Sequence, residues 1–123
     1  LLCLVLVGCG DAATRITTVV DDLCRARLEG DYQEFLSHLG GDPLLAYLRQ
    51  PAQKTAFTAA AVRYSKEGYL FVDTYVRELR VDPILRQARI HFIEKWSRGT
   101  ATVTWSRRWL LECIDGAWRV ISL

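Results

Sequence analysis

The spacing of the apolar residues changes once along the chain, at Gly68, and this change limits the folds open to it. Before Gly68, apolar residues recur every three or four positions, as on one face of a helix. After Gly68, apolar and polar residues alternate, as in strands that bury one face. A run of helices followed by a run of strands is typical of an α+β fold. The 123 residues are enough for a single domain, since domains commonly have about 100–150 residues.

Helical segments are predicted throughout the first half of the chain. Their limits follow from apolar stripes, from capping residues such as Asp31, and from Gly or Pro at the ends. They cover residues 14–28, 32–39, 42–48 and 51–66. Three consecutive alanines at 59–61 indicate close packing of the last segment against a neighbour.

Four strands are predicted after Gly68, joined by short turns. Asp115-Gly116 is the strongest hairpin signal in the chain. The strands cover residues 69–81, 86–97, 100–114 and 117–123. Three of them are much longer than the usual strand of about five or six residues, so we expect them to bend through β-bulges. The sequence therefore predicts N-terminal helices packed on a curved, four-stranded antiparallel β-meander.

The N-terminal segment is apolar and ends in a small residue followed by cysteine. Residues 1–8 carry no charge, and they are far shorter than the roughly 20 residues that a helix needs to cross a bilayer. Such a run is typical of the end of a secretory signal peptide. Leu6-Val7-Gly8-Cys9 resembles the bacterial lipobox, in which the peptide is cut before the cysteine and the thiol then carries diacylglycerol. A buried first strand is the alternative interpretation.

Cleavage at this point divides the chain into three parts. Residues 1–8 are then a truncated signal peptide whose basic region precedes Leu1. Residues 9–13 are a lipidated Cys9 with its tether, and residues 14–123 are one domain. We expect this domain at the bacterial cell envelope, anchored on the periplasmic or another extracytoplasmic face. The net charge of +2 lacks the basic excess of nucleic-acid-binding proteins, so no nucleic-acid partner is expected.

Two cysteines remain in the expected mature domain. An oxidising compartment would permit a Cys24–Cys113 bridge, but we favour two buried free thiols, which behave as small apolar side chains. The sequence has no CxxC pair, and its two histidines, His38 and His91, lie far apart. We therefore predict neither a metal site nor a cofactor, and the strand pattern places His91 on the outer surface.

The order of elements and the last hairpin resemble the nuclear transport factor 2-like (NTF2-like) superfamily. The hairpin reads RWLLECIDGAWRV over residues 108–120 and ends in a DGxWRV pattern. The resemblance covers residues 14–123. It implies a cone, formed by a curved sheet around the helices and often holding a pocket at its mouth. It also implies a homodimer through the sheet faces.

Charged residues on the predicted inner face of the strands are the candidate functional groups. An unpaired buried charge is costly, so an ion pair of Arg107 with Glu94 or Asp73 is the first interpretation. The second is that these groups line a pocket among aromatic side chains. The third is a register slip of one residue, which would turn them to solvent. The pocket candidates are Tyr64, Asp73, Tyr75, Glu94, Trp96, Trp105, Arg107 and Trp109.

Three functions are compatible with the resemblance. The first is a lipid-anchored, non-catalytic domain that binds a partner protein or a small apolar molecule. The second is an isomerase, dehydratase or cyclase, because enzymes of this superfamily place an Asp or His base in the pocket. Asp73, with Tyr75 two positions further on the same strand, is the candidate base here. The third is a periplasmic component of a secretion apparatus. Such components are usually held by a transmembrane helix, so the lipobox counts against it.

The sheet half of the chain is basic. Residues 62–123 carry 11 Lys and Arg against 7 Asp and Glu. This excess would suit anionic headgroups or an acidic partner. The interpretation we favour is a solvated exterior on which arginine stems cover apolar surface.

Overall fold

The structure, a computed structural model, describes residues 11–123. The expected signal peptide and Cys9 lie outside the described residues. Helices and strands follow one another in the predicted order. The helices are α1 (Ala12–Glu29), α2 (Tyr32–Ser37), α3 (Asp42–Leu48) and α4 (Pro51–Lys66). The strands are β1 (Tyr69–Asp82), β2 (Gln87–Arg98), β3 (Ala101–Ile114) and β4 (Ala117–Ser122).

The predicted helix ends are present in the structure. The Asp31 carboxylate accepts a hydrogen bond from the Glu34 backbone N–H at 3.0 Å and caps α2. Gly30 ends α1 with φ at 81°, a left-handed conformation that glycine adopts without strain. A Cβ built on Gly30 would lie 2.9 Å from the Cβ of Ala61, so α1 and α4 pack closely at the predicted alanines.

Within residues 11–123, the strands form one antiparallel sheet in the order β1-β2-β3-β4. Its inner face packs against α1, whose stripe of Ile16, Val20 and Leu23 is fully buried. Helix α2 is joined to the far edge of the sheet, because Val120 on β4 donates to the His38 carbonyl at 2.9 Å and its own carbonyl accepts from Gly40 at 2.9 Å. The helices therefore lie on one face of a curved sheet, as predicted.

Two irregularities in β1 change the face on which its side chains lie. The register pairs Phe71 with Trp96 but Asp73 with Lys95, so Val72 is an extra residue in β1. A second irregularity lies between Val76 and Glu78. Each β-bulge shifts the alternation of side chains by one position. The expected bulges are therefore confirmed, and they determine which β1 residues face the helices.

The first bulge overturns the placement of Asp73 and Tyr75. Strict alternation from Phe71 puts both on the inner face, but the extra residue turns both to the outer face. Thr74 instead lies opposite Glu94 on the inner face. Asp73 is exposed and Tyr75 is 64% exposed. The prediction that these two residues line an inner pocket is wrong.

The cysteines differ from the expectation of two free thiols. Cys24 is free and fully buried, whereas Cys113 takes part in a disulfide. The Cys24–Cys113 bridge is therefore not formed. The expectation of a free thiol is confirmed for Cys24 and wrong for Cys113.

The described helices also differ from membrane-spanning segments. Within residues 11–123, no helix has both the length and the hydropathy of a segment that crosses a bilayer.

Candidate functional site

Glu94 is the fully buried acidic residue at the centre of the inner face. Its Oε1 accepts hydrogen bonds from Arg27 Nη2 on α1 at 2.7 Å and from Arg107 Nε on β3 at 3.0 Å. Its Oε2 accepts from the Trp96 indole N–H at 2.9 Å. The expected Arg107–Glu94 ion pair is therefore present, and Arg27 joins it from the first helix.

The surroundings of Glu94 keep it ionised. Burial alone would raise the pKa of Glu94, but the Arg27 guanidinium, together with the hydrogen bonds from Trp96, Arg107 and Arg27, holds the pKa below its usual value of 4.5. Charge-assisted bonds of this kind are stronger than neutral ones. Two guanidinium groups face one carboxylate, so this centre carries one excess positive charge.

Cys24 lies beside the same carboxylate. Burial and the adjacent Glu94 charge raise the pKa of the Cys24 thiol well above its usual range. A thiol that remains protonated is a poor nucleophile. Cys24 is thus an unreactive, buried neighbour of Glu94.

Aromatic rings continue the site from Trp96 towards the β2–β3 turn. The Trp96 ring centroid lies 4.3 Å from that of Trp105 and 4.9 Å from that of Tyr64. The Tyr69 ring lies 5.6 Å from Trp96. Trp96 is buried, whereas Trp105, Tyr64 and Tyr69 are each partly exposed. We call these four residues the aromatic cluster; it adjoins the Glu94 centre through the Trp96 side chain.

Solved structures share this arrangement of helices and sheet. A crystal structure of an NTF-2 like protein of unknown function from Shewanella oneidensis MR-1 matches with a TM-score of 0.52 at 16% identity, over 89% of this chain and 93% of that one. The fold is NTF2-like. A SEC-C motif containing protein from Rhodopseudomonas palustris matches with a TM-score of 0.50 at 16% identity, over 95% of this chain and 88% of that one.

These similarities show the fold alone, because sequence identity is low. No protein-family model matches the sequence, and no curated protein matches it. The α+β cone expected from the resemblance is therefore established by structure, while function must be argued from the residues of the site.

The NTF2-like fold brings five of the eight predicted pocket residues together. They are Tyr64, Glu94, Trp96, Trp105 and Arg107. Trp109 is also on the inner face, but it is buried in the core, where its ring lies 4.8 Å from that of Phe92. Asp73 and Tyr75 lie on the outer face. His91 is on the outer face as well, where its Nε2 lies 2.7 Å from the Ser106 hydroxyl.

Arg27 and Cys24 are the site residues that the sequence analysis missed. Arg27 follows Leu23 by four positions and Cys24 by three. That spacing places Arg27 on the buried stripe of α1. A charged residue on a buried stripe requires a partner of opposite charge. The position of Arg27 in the sequence could therefore have identified it as a member of an ion pair. The identity of the partner depends on how α1 crosses the sheet.

A second polar cluster lies between α1, α2 and β4. Potential ligand atoms of Asp22, Glu34 and His38 lie within 4.8 Å of one another. Two carboxylates and one imidazole are a donor set that a metal ion can use. Each group already has a protein partner, however, because His38 Nε2 is 2.9 Å from Glu34 Oε1 and Asp22 is 3.6 Å from Arg25. This arrangement forms a surface ion-pair network without requiring a metal.

A groove of about 360 Å³ passes beside this cluster. Trp118 lines the groove, and its indole N–H is buried with no hydrogen-bond partner among residues 11–123. Buried donors are nearly always paired, and an unpaired one costs free energy, so this N–H does not stabilise the groove.

Proposed function

We propose that this chain is a lipid-anchored, non-catalytic binding domain of the bacterial cell envelope. Its NTF2-like cone binds a small apolar molecule or a partner protein at the aromatic cluster. The anchor rests on Leu6-Val7-Gly8-Cys9, with Cys9 as the acylated residue. Because Cys24 is free, a mature chain that begins at acylated Cys9 offers no partner for the disulfide of Cys113, so the proposed anchor and that disulfide are alternatives. The binding role rests on the side chains around Glu94, which lie within the described part of the chain.

The state of Glu94 is the observation that carries the non-catalytic proposal. A general base needs a free lone pair within reach of the substrate proton. Both oxygens of Glu94 already accept hydrogen bonds from protein donors, and the carboxylate is fully buried. Glu94 therefore serves to hold Arg27, Arg107 and Trp96 in place. The earlier base candidate, Asp73, is on the opposite face of the sheet.

The aromatic cluster supports the choice of ligand. Trp105 and Tyr64 combine partial exposure with ring contacts to the buried Trp96. Partly exposed aromatic rings that pack on a buried ring offer a broad apolar contact surface. Arg107 is 31% exposed, and its centre has one excess positive charge. An apolar molecule with an acidic group would satisfy both features.

Native mass spectrometry of the full-length protein tests ligand binding. We expect a bound mass of a few hundred daltons that is released on denaturation. Trp105→Ala should lower the occupancy, whereas Tyr75→Ala, an exposed aromatic on the outer face, should leave it unchanged. Equal occupancy in the two variants would contradict a site at the aromatic cluster. The same spectra report whether two copies associate, as the expected homodimer requires.

If a protein rather than a small molecule binds, the cluster should still be the contact. Crosslinking from Trp105 replaced by a photoreactive residue would then capture that protein, while the same residue placed at Tyr75 would not. Capture at both positions would show that the contact is not specific to the aromatic cluster.

Fractionation of cells tests the anchor. The protein should sediment with membranes, and Cys9→Ser should release it into the soluble extracytoplasmic fraction. Cys24→Ser is the matched control, because it also removes one thiol but lies in the core. A Cys9→Ser variant that is exported and still sediments with membranes would overturn the proposed anchor.

A further inference from the structure

We propose that the β1–β2 turn and the arginines beside it form a second membrane contact, which docks on an anionic phospholipid bilayer. We call this surface, made of Arg80, Ile84, Leu85, Arg89 and Arg108, the docking end. The inference extends the proposed function, and it rests on the Cys9 anchor only for its orientation.

Two large aliphatic side chains form the tip of the docking end. Ile84 is 89% exposed and Leu85 is 62% exposed. The turn that presents them is ordered by Asp82, whose Oδ1 accepts from the backbone N–H of Ile84 at 3.0 Å and of Leu85 at 3.1 Å. The Asp82 carboxylate is thereby bound within the turn, and the two aliphatic side chains project beyond it.

Arginines on the outer face lie directly behind this tip. Arg80 and Arg89 are opposite each other on β1 and β2, and Arg108 is opposite His91 on β2 and β3. These side chains surround a depression of about 410 Å³. Like charges placed opposite each other destabilise a sheet. An anion in the depression would offset that repulsion.

Acidic residues do not neutralise the depression. Glu78 is the acidic residue that lines it, and Glu78 is 3.2 Å from Arg80. This pair leaves the charges of Arg89 and Arg108 in excess among the side chains that line the depression. The aliphatic side chains at the tip and the arginines a few residues behind them along the strands match the layers of a bilayer. The tip would enter the acyl boundary, and the arginines would contact the headgroup phosphates.

The start of α1, which follows the proposed anchor in the sequence, lies at the same end of the sheet as the docking end. The Arg86 carbonyl, in the β1–β2 turn, accepts from the Cys113 backbone N–H at 2.9 Å, close to the β3–β4 turn. Arg15, in the first turn of α1, donates to the Gly116 carbonyl in that β3–β4 turn at 3.4 Å. Cys9 precedes the start of α1 by a few residues, each spanning at most about 3.6 Å. An acyl chain on Cys9 and the tip would therefore meet one bilayer.

Vesicle sedimentation with the full-length Cys9→Ser protein tests the contact without the acyl chain. Vesicles of phosphatidylcholine mixed with phosphatidylglycerol should bind the protein, and pure phosphatidylcholine should bind it far less. Replacing both Ile84 and Leu85 by Ser should weaken binding about 100-fold. Replacing both Arg80 and Arg89 by Gln should weaken it about 30-fold and reduce its salt dependence.

Leu70→Ser is the matched control. Leu70 is 68% exposed and lies at the other end of β1, opposite Ser97. It should leave vesicle binding unchanged. Equal binding by wild type and by the tip and arginine variants would overturn the docking end. If Cys9 of the wild-type protein carries no acyl group in cells, the proposed anchor is overturned, but the vesicle test of the docking end is unaffected.

Discussion

Arg27 on α1 and Glu94 on β2 are 67 residues apart in sequence and 2.7 Å apart in the structure. This ion pair joins the first helix to the centre of the sheet, and Arg107 completes it from the neighbouring strand. Because Glu94 is fully buried, the arginines compensate a charge that would otherwise be strongly unfavourable. The geometry of the candidate site depends on this contact.

Glu94→Gln should lower the free energy of unfolding by about 3 kcal/mol. The amide has the same shape, but it leaves two guanidinium groups facing each other without a counter-charge. Urea unfolding measures the change. Glu78→Gln removes a carboxylate from the exposed pair with Arg80, and it should cost less than about 0.5 kcal/mol. If both variants lower the free energy of unfolding by a similar amount, Glu94 does not compensate the two buried guanidinium groups.

The contribution of Glu94 should depend on pH in one direction. Its pKa is lower when folded than its usual value of 4.5, so its stabilising effect is fully present above that value and declines as the pH falls towards the folded pKa. The stability difference between wild type and Glu94→Gln should therefore shrink below pH 4.5. Unfolding curves recorded from neutral to acidic pH measure it. A difference that stays constant or grows on acidification would refute the depressed pKa.

Cys24 should resist thiol reagents while the protein is folded. Its side chain is fully buried, and burial together with the Glu94 charge raises the pKa of its thiol. Peptide mass spectrometry after iodoacetamide treatment should find Cys24 unmodified in the native protein and modified in guanidinium chloride. The unfolded protein is the internal control for accessibility. Fast labelling of native Cys24 would show that the thiol is neither buried nor protonated.

Two tryptophans allow the hydrogen bond to Glu94 to be measured separately from packing. Trp96 donates to Glu94, whereas the Trp118 N–H has no partner among residues 11–123. Replacement by Phe removes the same atoms from each. Trp96→Phe should therefore cost about 1.5 kcal/mol more than Trp118→Phe, the typical worth of a hydrogen bond to a charged group. Thermal or urea unfolding provides the comparison, and equal costs would contradict a functional Trp96–Glu94 bond.

The sequence is sufficient to predict the order of helices and strands and one contact of the site. Periodicity is a local property, so the change at Gly68 predicts the two halves correctly. Arg107 and Glu94 alternate with apolar residues on β2 and β3, and those strands pair without a bulge over residues 87–98 and 101–112. The two side chains therefore lie on the face that alternation predicts.

Asp73 and Arg27 show where such reasoning ends. One extra residue at Val72 reverses the face of Asp73, and a bulge depends on how strand pairs fit a curved sheet. The choice of Arg27 as a partner depends on how α1 crosses that sheet. Both are tertiary properties, and neither can be obtained from the local spacing of residues.

The intact mass of the mature protein, extracted from bacterial membranes after expression with its full leader, tests the proposed anchored domain most directly. The account predicts a chain that begins at Cys9, lacks residues 1–8 and carries acyl groups on that cysteine. The acyl mass should disappear in Cys9→Ser and persist in Cys24→Ser. A mature chain that retains residues 1–8, or one whose Cys9 is a free thiol or part of a disulfide, would contradict the account.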